Sequence, residues 1–484
     1  MPISENSFMQ LFQRLASIDL FGSGPPEVPW QGGQPTADAF STAIAQASSR
    51  LPLVFHTAYI EPLQANVDRV IQQLNGTDLL ETVGGAIYDH GVADVDPQLD
   101  RFLAVISNFY RSFLDATRRA SAGFPKIKEQ LPPLAMFQHD GQKGPFTLPI
   151  DAISGLFGGA VGVVSLPSTF RDNPLLWASL AHETGGHDCL HADAGLLPEL
   201  SQAVRDFFGG GSVPAGGQIP VNQFLGLLWS YWMDEAASDI YGVMNIGPEF
   251  GINLVASIAA MWERLKPTGK PTLRTLSAAD KSGMLDSHPT DILRPYLIMG
   301  ATEALRALSA DRRNEYSQDL QSLTQITADG ATTVQIQGRI PVSPGASLPF
   351  SVALPMEVML ASAQHVGSLI ASSALEALGG NSIQALETWD DSDEDTARLI
   401  AQNMTAGLSV AGQGDDAALL AGATIAAFDQ PGVYDSITAR LNEALDASFA
   451  TDPYWGTPRP DRSFIQTELM PENSAELEHY LTVR

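Results

Sequence analysis

Apolar residues recur at three- and four-residue spacing through much of the first 135 positions, most clearly in NVDRVIQQLNGTDLLETVGGAIYDHG (66–91) and PQLDRFLAVISNFYRSFLDATRRASAG (97–123). That period predicts amphipathic helices. The N-terminal MPISENSFMQLFQRLASIDLF has the same character, with polar residues throughout. The pattern changes after Pro132 and Pro133. MFQHDGQKGPFTLPIDAISGLFGGAVGVVSLPSTF is rich in Gly, Pro and β-branched residues, which predicts short strands and turns, and AVGVVSL (160–166) is the best strand. RDNP then predicts a helix start, with Asp172 or Asn173 as cap and Pro174 at the first helical position. Two further helices are predicted between Asn222 and Arg264, parted by NIGPEFG, and another over Ile292–Leu308. Residues 332–351 read as a β-hairpin and Met356–Leu378 as helix. DDSDEDTAR (390–398) reads as a solvated helix start without the spacing of a calcium loop. Ala-rich helix follows to about residue 448, and then an irregular tail. The class expected is α+β, mainly α, in three regions: a helical 1–135, a core at 136–310 and a C-terminal 311–484 with a hairpin followed by helices.

Chemistry concentrates in WASLAHETGGHDCLHAD (177–193), where three of the nine histidines fall within ten residues. His182 and His187 are five apart. On a regular helix residues four apart lie about 40° apart around the axis, and residues five apart about 140°. The two imidazoles can share a metal only if the helix widens, because a π-turn brings i and i+5 to one face. Gly185 and Gly186 suit such a turn: each interior Gly costs an α-helix roughly 1 kcal/mol relative to Ala. Composition gives a His–acid–x–x–x–His pattern roughly 0.02 times per chain by chance.

A hydrolytic zinc site needs three protein ligands, an open position and a carboxylate to take a proton from water. Glu183 is the candidate base. A third ligand is sought in WSYWMDEAASDIYGV (229–243), where Glu235 and Asp239 share a helix face. The plain alternative is an acidic face in water. Trp229, Tyr231, Trp232, Ile240 and Tyr241 around them argue for burial, and buried carboxylates need a partner.

HETGGH resembles the HExxGH motif of the dipeptidyl peptidase III family of zinc peptidases, and DEAASD resembles that family's acidic second motif, with Ala237 where the family has arginine. The likeness covers these two short motifs. It implies a gluzincin-type peptidase with a zincin-like core. His182, His187 and Glu235 would bind one zinc ion, Glu183 would be the general base, and Asp234 and Asp239 would orient the imidazoles. DSHPTDILRPYL (286–297) resembles segments downstream of the glutamate ligand in gluzincin-like peptidases. By that likeness His288 would donate to the oxyanion and Arg294 would bind a substrate carboxylate or brace the site. The alternative ends a loop at His288 and pairs Arg294 with Asp291 or Glu303.

The remaining composition narrows the classes. A net charge of −28 argues against nucleic acid or an anionic membrane surface as partner. One cysteine, Cys189, leaves no intrachain disulfide. No signal peptide or membrane span is read, so a cytoplasmic protein acting on peptides or proteins is expected. Two other readings stand beside the peptidase. One is a non-catalytic metal-binding scaffold of the same fold. The other is a non-hydrolytic metalloenzyme, with iron held by Glu183, His187 and His191, which are i, i+4 and i+8 on an unwidened helix.

Overall fold

A computed structural model describes residues 3–18, 61–72, 79–80, 82–86, 97–127, 132–138, 144–149, 162–210, 219–343 and 345–451. Helix α1 (Glu5–Ala16) starts at Ser4, whose side chain accepts from the Ser7 N–H, and turns Phe8, Leu11, Phe12 and Leu15 inward. Of the segment 66–91, helix α2 (Glu61–Ile71) carries the first part, and most of the rest lies outside the described residues. Helix α3 (Pro97–Leu114) buries Phe102, Phe109 and Phe113 with eight other residues.

Three short strands follow, buried on both faces: β1 (Leu134–Gln138), β2 (Phe146–Leu148) and β3 (Val163–Pro167). β3 lies in the middle, parallel to β1 and antiparallel to β2, with Thr147 opposite Val164. β3 is the strand expected at 160–166; residues 160 and 161 lie outside the described residues. Among the described strands β2 is an edge, and it packs against the histidine-bearing helix, while α3 packs on β1.

The helix start at RDNP differs from expectation. Pro174 does open a turn, but a 3-10 one (Pro174–Ala178), and Asn173 makes no side-chain cap. Its amide instead donates to the Thr169 carbonyl at 3.0 Å, and Asp172 accepts from Gln98 at 3.3 Å. The chain then widens into a π-helix over Ala181–Asp188, as the His-to-His spacing demands, and returns to α geometry at Cys189–Ala192.

Between Asn222 and Arg264 there are three helices rather than two: α4 (Val221–Tyr231), α5 (Met233–Ile246) and α6 (Glu249–Leu265). The additional break falls at Trp232, whose indole is buried and bonded to the Asp286 carbonyl, 2.9 Å away. Helix α7 (Arg294–Ala304) begins after a 3-10 turn at Asp291–Leu293, and α8 (Ala310–Thr327) follows. A second sheet has the order β4–β5–β6: Leu276–Ser277, then the hairpin Thr333–Ser343 and Ala346–Pro355. Helix α9 (Met356–Ser372) packs closely on α7.

Helix α10 (Asp391–Thr405) opens on the acidic run, with Asp390 forming a capping box with Asp393. The run is not wholly solvated, since Glu394 is buried. The Ala-rich stretch divides into α11 (Asp416–Asp429) and α12 (Tyr434–Thr451), and the tail beyond residue 451 lies outside the described residues. Buried apolar side chains from Phe8 to Leu445 form one contiguous cluster. The architecture is mainly α with two small mixed sheets. No helix among the described residues is long and apolar enough to cross a membrane.

Candidate metal centre

The π-turn sets His182 and His187 side by side, ring centroids 4.8 Å apart and planes nearly perpendicular. Its two glycines face α5. A Cβ on Gly186 would stand 2.5 Å from the Ser238 Cα, and one on Gly185 would stand 2.2 Å from the Asn245 amide nitrogen. Both glycines let the widened helix lie directly on α5. That approach brings the first turn of α5, with Asp234 and Glu235, to the imidazoles. Acids in a first turn also face the positive end of the helix dipole.

Glu235 reaches both rings. Its Oε2 lies 3.2 Å from His182 Nε2 and its Oε1 lies 3.6 Å from His187 Nε2. Donor atoms of His182, His187 and Glu235 all fall within 4.8 Å of one another, so the group can hold a metal ion. The opposite ring nitrogens are held from behind. His182 Nδ1 lies 2.9 Å from Asp239 Oδ1, and His187 Nδ1 lies 3.2 Å from Asp234 Oδ1. An Nδ1–H donating to each acid frees Nε2 to bind a cation once its own proton is lost.

The surrounding carboxylates favour cationic imidazoles, and a bound ion would take the place of a proton on Nε2. Burial opposes protonation of His182, yet the hydrogen bond to Asp239 and the nearness of Glu235 outweigh it and raise its pKa. His187, against the same burial, is raised well above the ordinary histidine value by Glu235 and Asp234. Burial also opposes ionisation of Glu235, but His288 and His187 hold its carboxyl well below the usual range. Asp239 is held low against burial by Arg294. Glu235 Oε2 is sealed from solvent and has no hydrogen-bond partner, although His182 Nε2 is close by. A buried carboxylate oxygen facing an imidazole nitrogen suits a shared cation, proton or metal ion.

The other expected residues are placed as follows. Glu183 is buried on the π-turn, and its Oε2 accepts from Thr147 on β2 at 2.8 Å; the same hydroxyl lies 2.9 Å from the Glu183 carbonyl. His288 is 49% exposed, with Nε2 3.2 Å from Glu235 Oε1 and Nδ1 2.9 Å from Asp286. Its loop is fastened where Tyr231 donates to the Leu285 carbonyl at 2.6 Å and Trp232 to that of Asp286. Arg294, expected to bind a substrate carboxylate or brace the site, is buried and forks onto Asp239, Nε to Oδ2 at 2.8 Å and Nη2 to Oδ1 at 2.5 Å. Its guanidinium braces the acid behind His182, because Asp239 is fully buried and needs a charge partner. Asp291 is instead taken by Arg274 and Trp262, and Glu303 by Gln364.

The set Glu183, His187 and His191 is not brought together. Glu183 turns to Thr147, and His191 Nε2 lies against Asp234 at 3.3 Å. Widening the helix removes the i, i+4, i+8 alignment on which that set depended. Among the described residues, only His182, His187 and Glu235 form a converging donor group.

Sequence reasoning missed Thr147, Asp286 and Arg274. Thr147 left one faint trace, a lone hydroxyl between the apolar Phe146 and Leu148 of a buried strand. Arg274 joins Asp286 to Asp291, its Nη1 2.8 Å from Asp286 Oδ2, and so steadies the loop that carries His288. No protein-family model, curated protein or solved structure matches this chain.

Proposed function

We propose that this chain is a zinc-dependent peptide hydrolase, with a zincin-like core spanning about residues 136–310. The observation that carries the proposal is the π-turn that lets His182 and His187 meet Glu235, with a further carboxylate behind each imidazole. Two neutral imidazoles and a carboxylate are a donor set suited to zinc. When bound, the ion supplies Lewis-acid polarisation of a carbonyl and acidifies a water.

The residues divide the remaining work. Glu183 accepts the proton of the attacking water at its carboxylate and returns it to the leaving amine. Thr147 fixes one oxygen of that carboxylate, so the base is oriented before substrate arrives. Asp239 and Asp234 hold the imidazoles in position, and Arg294 keeps Asp239 ionised and in place. His288, half-exposed beside Glu235 and backed by Asp286, is positioned to donate to a carbonyl oxygen gaining negative charge.

The test pairs metal analysis with turnover of a mixed peptide library. Purified protein should contain about one zinc per chain, His182→Ala and Glu235→Ala should lose it, and a chelator should abolish cleavage. Glu183→Gln should keep zinc and lose cleavage by several orders of magnitude. Zinc retained in His182→Ala would refute the ligand set. Full zinc with no cleavage in wild type would leave a metal-binding scaffold and sink the enzyme reading.

A further inference from the structure

The acidic run that opens α10 sends one member inward. Glu394 is fully buried, as is Glu249 at the start of α6, and both carboxylates meet the hydroxyl of Tyr316 on α8. Tyr316 Oη lies 2.8 Å from Glu394 Oε1 and touches Glu249 Oε1. Glu394 has other donors: Trp389 Nε1 reaches its Oε2 at 3.1 Å and Arg398 Nε reaches its Oε1 at 2.5 Å. Glu249 has none of these, and its Oε2 is buried without a partner.

The protons can be counted. A phenol carries one hydrogen and can give it to one carboxylate at a time. Its contact with the other then joins two oxygens, and with no hydrogen between them they repel in a site closed to water. A second proton is needed. Glu394 is already served by a guanidinium and an indole N–H, so it is the ionised member.

We infer that Glu249 is a protonated carboxylic acid at neutral pH. It donates to Tyr316, which donates to Glu394, and the chain forms a proton-dependent latch joining α6, α8 and α10. Burial and the neighbouring Glu394 charge push the Glu249 carboxyl well above the usual range, in keeping with that count. The latch sits at a mechanically relevant point, because Glu249 follows the turn that ends α5, the helix of Glu235. Gly247 in that turn has φ +74°, and a Cβ there would come within 2.5 Å of Glu249 Oε2 and 2.7 Å of Trp389.

Among the described residues, the charged and titratable groups facing Glu249 are Tyr316 from α8 and Glu394 with its partner Arg398 from α10. Arg398 also binds Glu315 on α8 at 3.0 Å. A carboxyl raised on folding contributes stability that is complete below the ordinary glutamate range and is lost as pH rises through its folded value. Alkaline pH therefore opens the latch.

The full chain and Glu249→Gln should be melted between about pH 6 and about pH 10, with infrared spectra of both. Glutamine keeps a donor and an acceptor but cannot ionise. Wild type should lose melting temperature toward the alkaline end while Glu249→Gln holds its own. The infrared difference at neutral pH should show the C=O stretch of a protonated carboxylic acid, which disappears from wild type as pH rises. Parallel melting profiles, or a wild-type spectrum lacking that band at neutral pH, would overturn the latch. Glu387→Gln, which removes the other glutamate raised by burial among the described residues, should keep the band, so its infrared titration decides the matter even if Glu249→Gln does not fold.

Discussion

Gly185 and Gly186 are adjacent, yet the two positions are not equivalent. An added methyl on Gly186 would strike Ser238 at Cα and Cβ, 2.5 and 2.4 Å away, which only a shift of α5 can relieve. On Gly185 it would meet the end of the Asn245 side chain, which can rotate, and Phe113 at 3.3 Å. Gly186→Ala is therefore expected to destabilise by about 1–3 kcal/mol or more, with Gly185→Ala costing less. Denaturant unfolding of the two variants measures the difference, and equal costs would contradict this packing. Because a shift of α5 carries Glu235 with it, Gly186→Ala should also weaken zinc binding in a competition assay. Thr147 works at the same scale: one hydroxyl on an edge strand reaches both the carboxylate and the carbonyl of Glu183.

Helices α5 and α7 are joined by the Arg294–Asp239 fork, and α7 also packs tightly on α9. In that second contact the backbones nearly touch, since a Cβ on Gly300 would stand 1.9 Å from the Gln364 carbonyl oxygen and one on Gly367 1.8 Å from that of Leu297. The guanidinium thus approaches Asp239 from a helix with little freedom to move. Arg294→Ala would leave a fully buried carboxylate uncompensated, at about 3–5 kcal/mol by urea unfolding. Combining it with Asp239→Leu should recover part of that loss, because the stranded charge is then gone. Asp239 also orients His182, so Asp239→Leu alone should weaken zinc affinity by about 10–100-fold. An Arg294→Ala protein of wild-type stability would show that the fork contributes nothing.

Across the whole molecule, the single apolar cluster means that charged contacts outside the candidate metal site report on global unfolding. Glu387 is one of these. Burial pushes its carboxyl up to about 7, with Arg118 opposing. Its folded value exceeds the unfolded one, so its share of stability is full below the ordinary glutamate range and is lost as pH rises through about 7. Melting temperatures taken stepwise from about pH 4 to about pH 8 should show this decline in wild type and a flatter profile in Glu387→Gln. Identical profiles would mean that Glu387 is solvated in the folded protein.

Local order along the chain determined a good deal. Apolar spacing marked α1, α3 and the hairpin β5–β6, because helix and strand periods follow from backbone geometry and need no distant partner. The five-residue step from His182 to His187, with two glycines inside it, specified the widened turn for the same reason. Spacing alone also put Glu235 and Asp239 on one face of α5. Only the tertiary structure decided which acid stands behind which imidazole, that Arg294 serves Asp239, that Thr147 grips Glu183, and that Glu394 leaves the solvated run for the interior. Those pairings join positions 36 or more residues apart, and a long-range partner is chosen by how helices pack. Packing is a property of surfaces that the residues acquire only after the chain has folded.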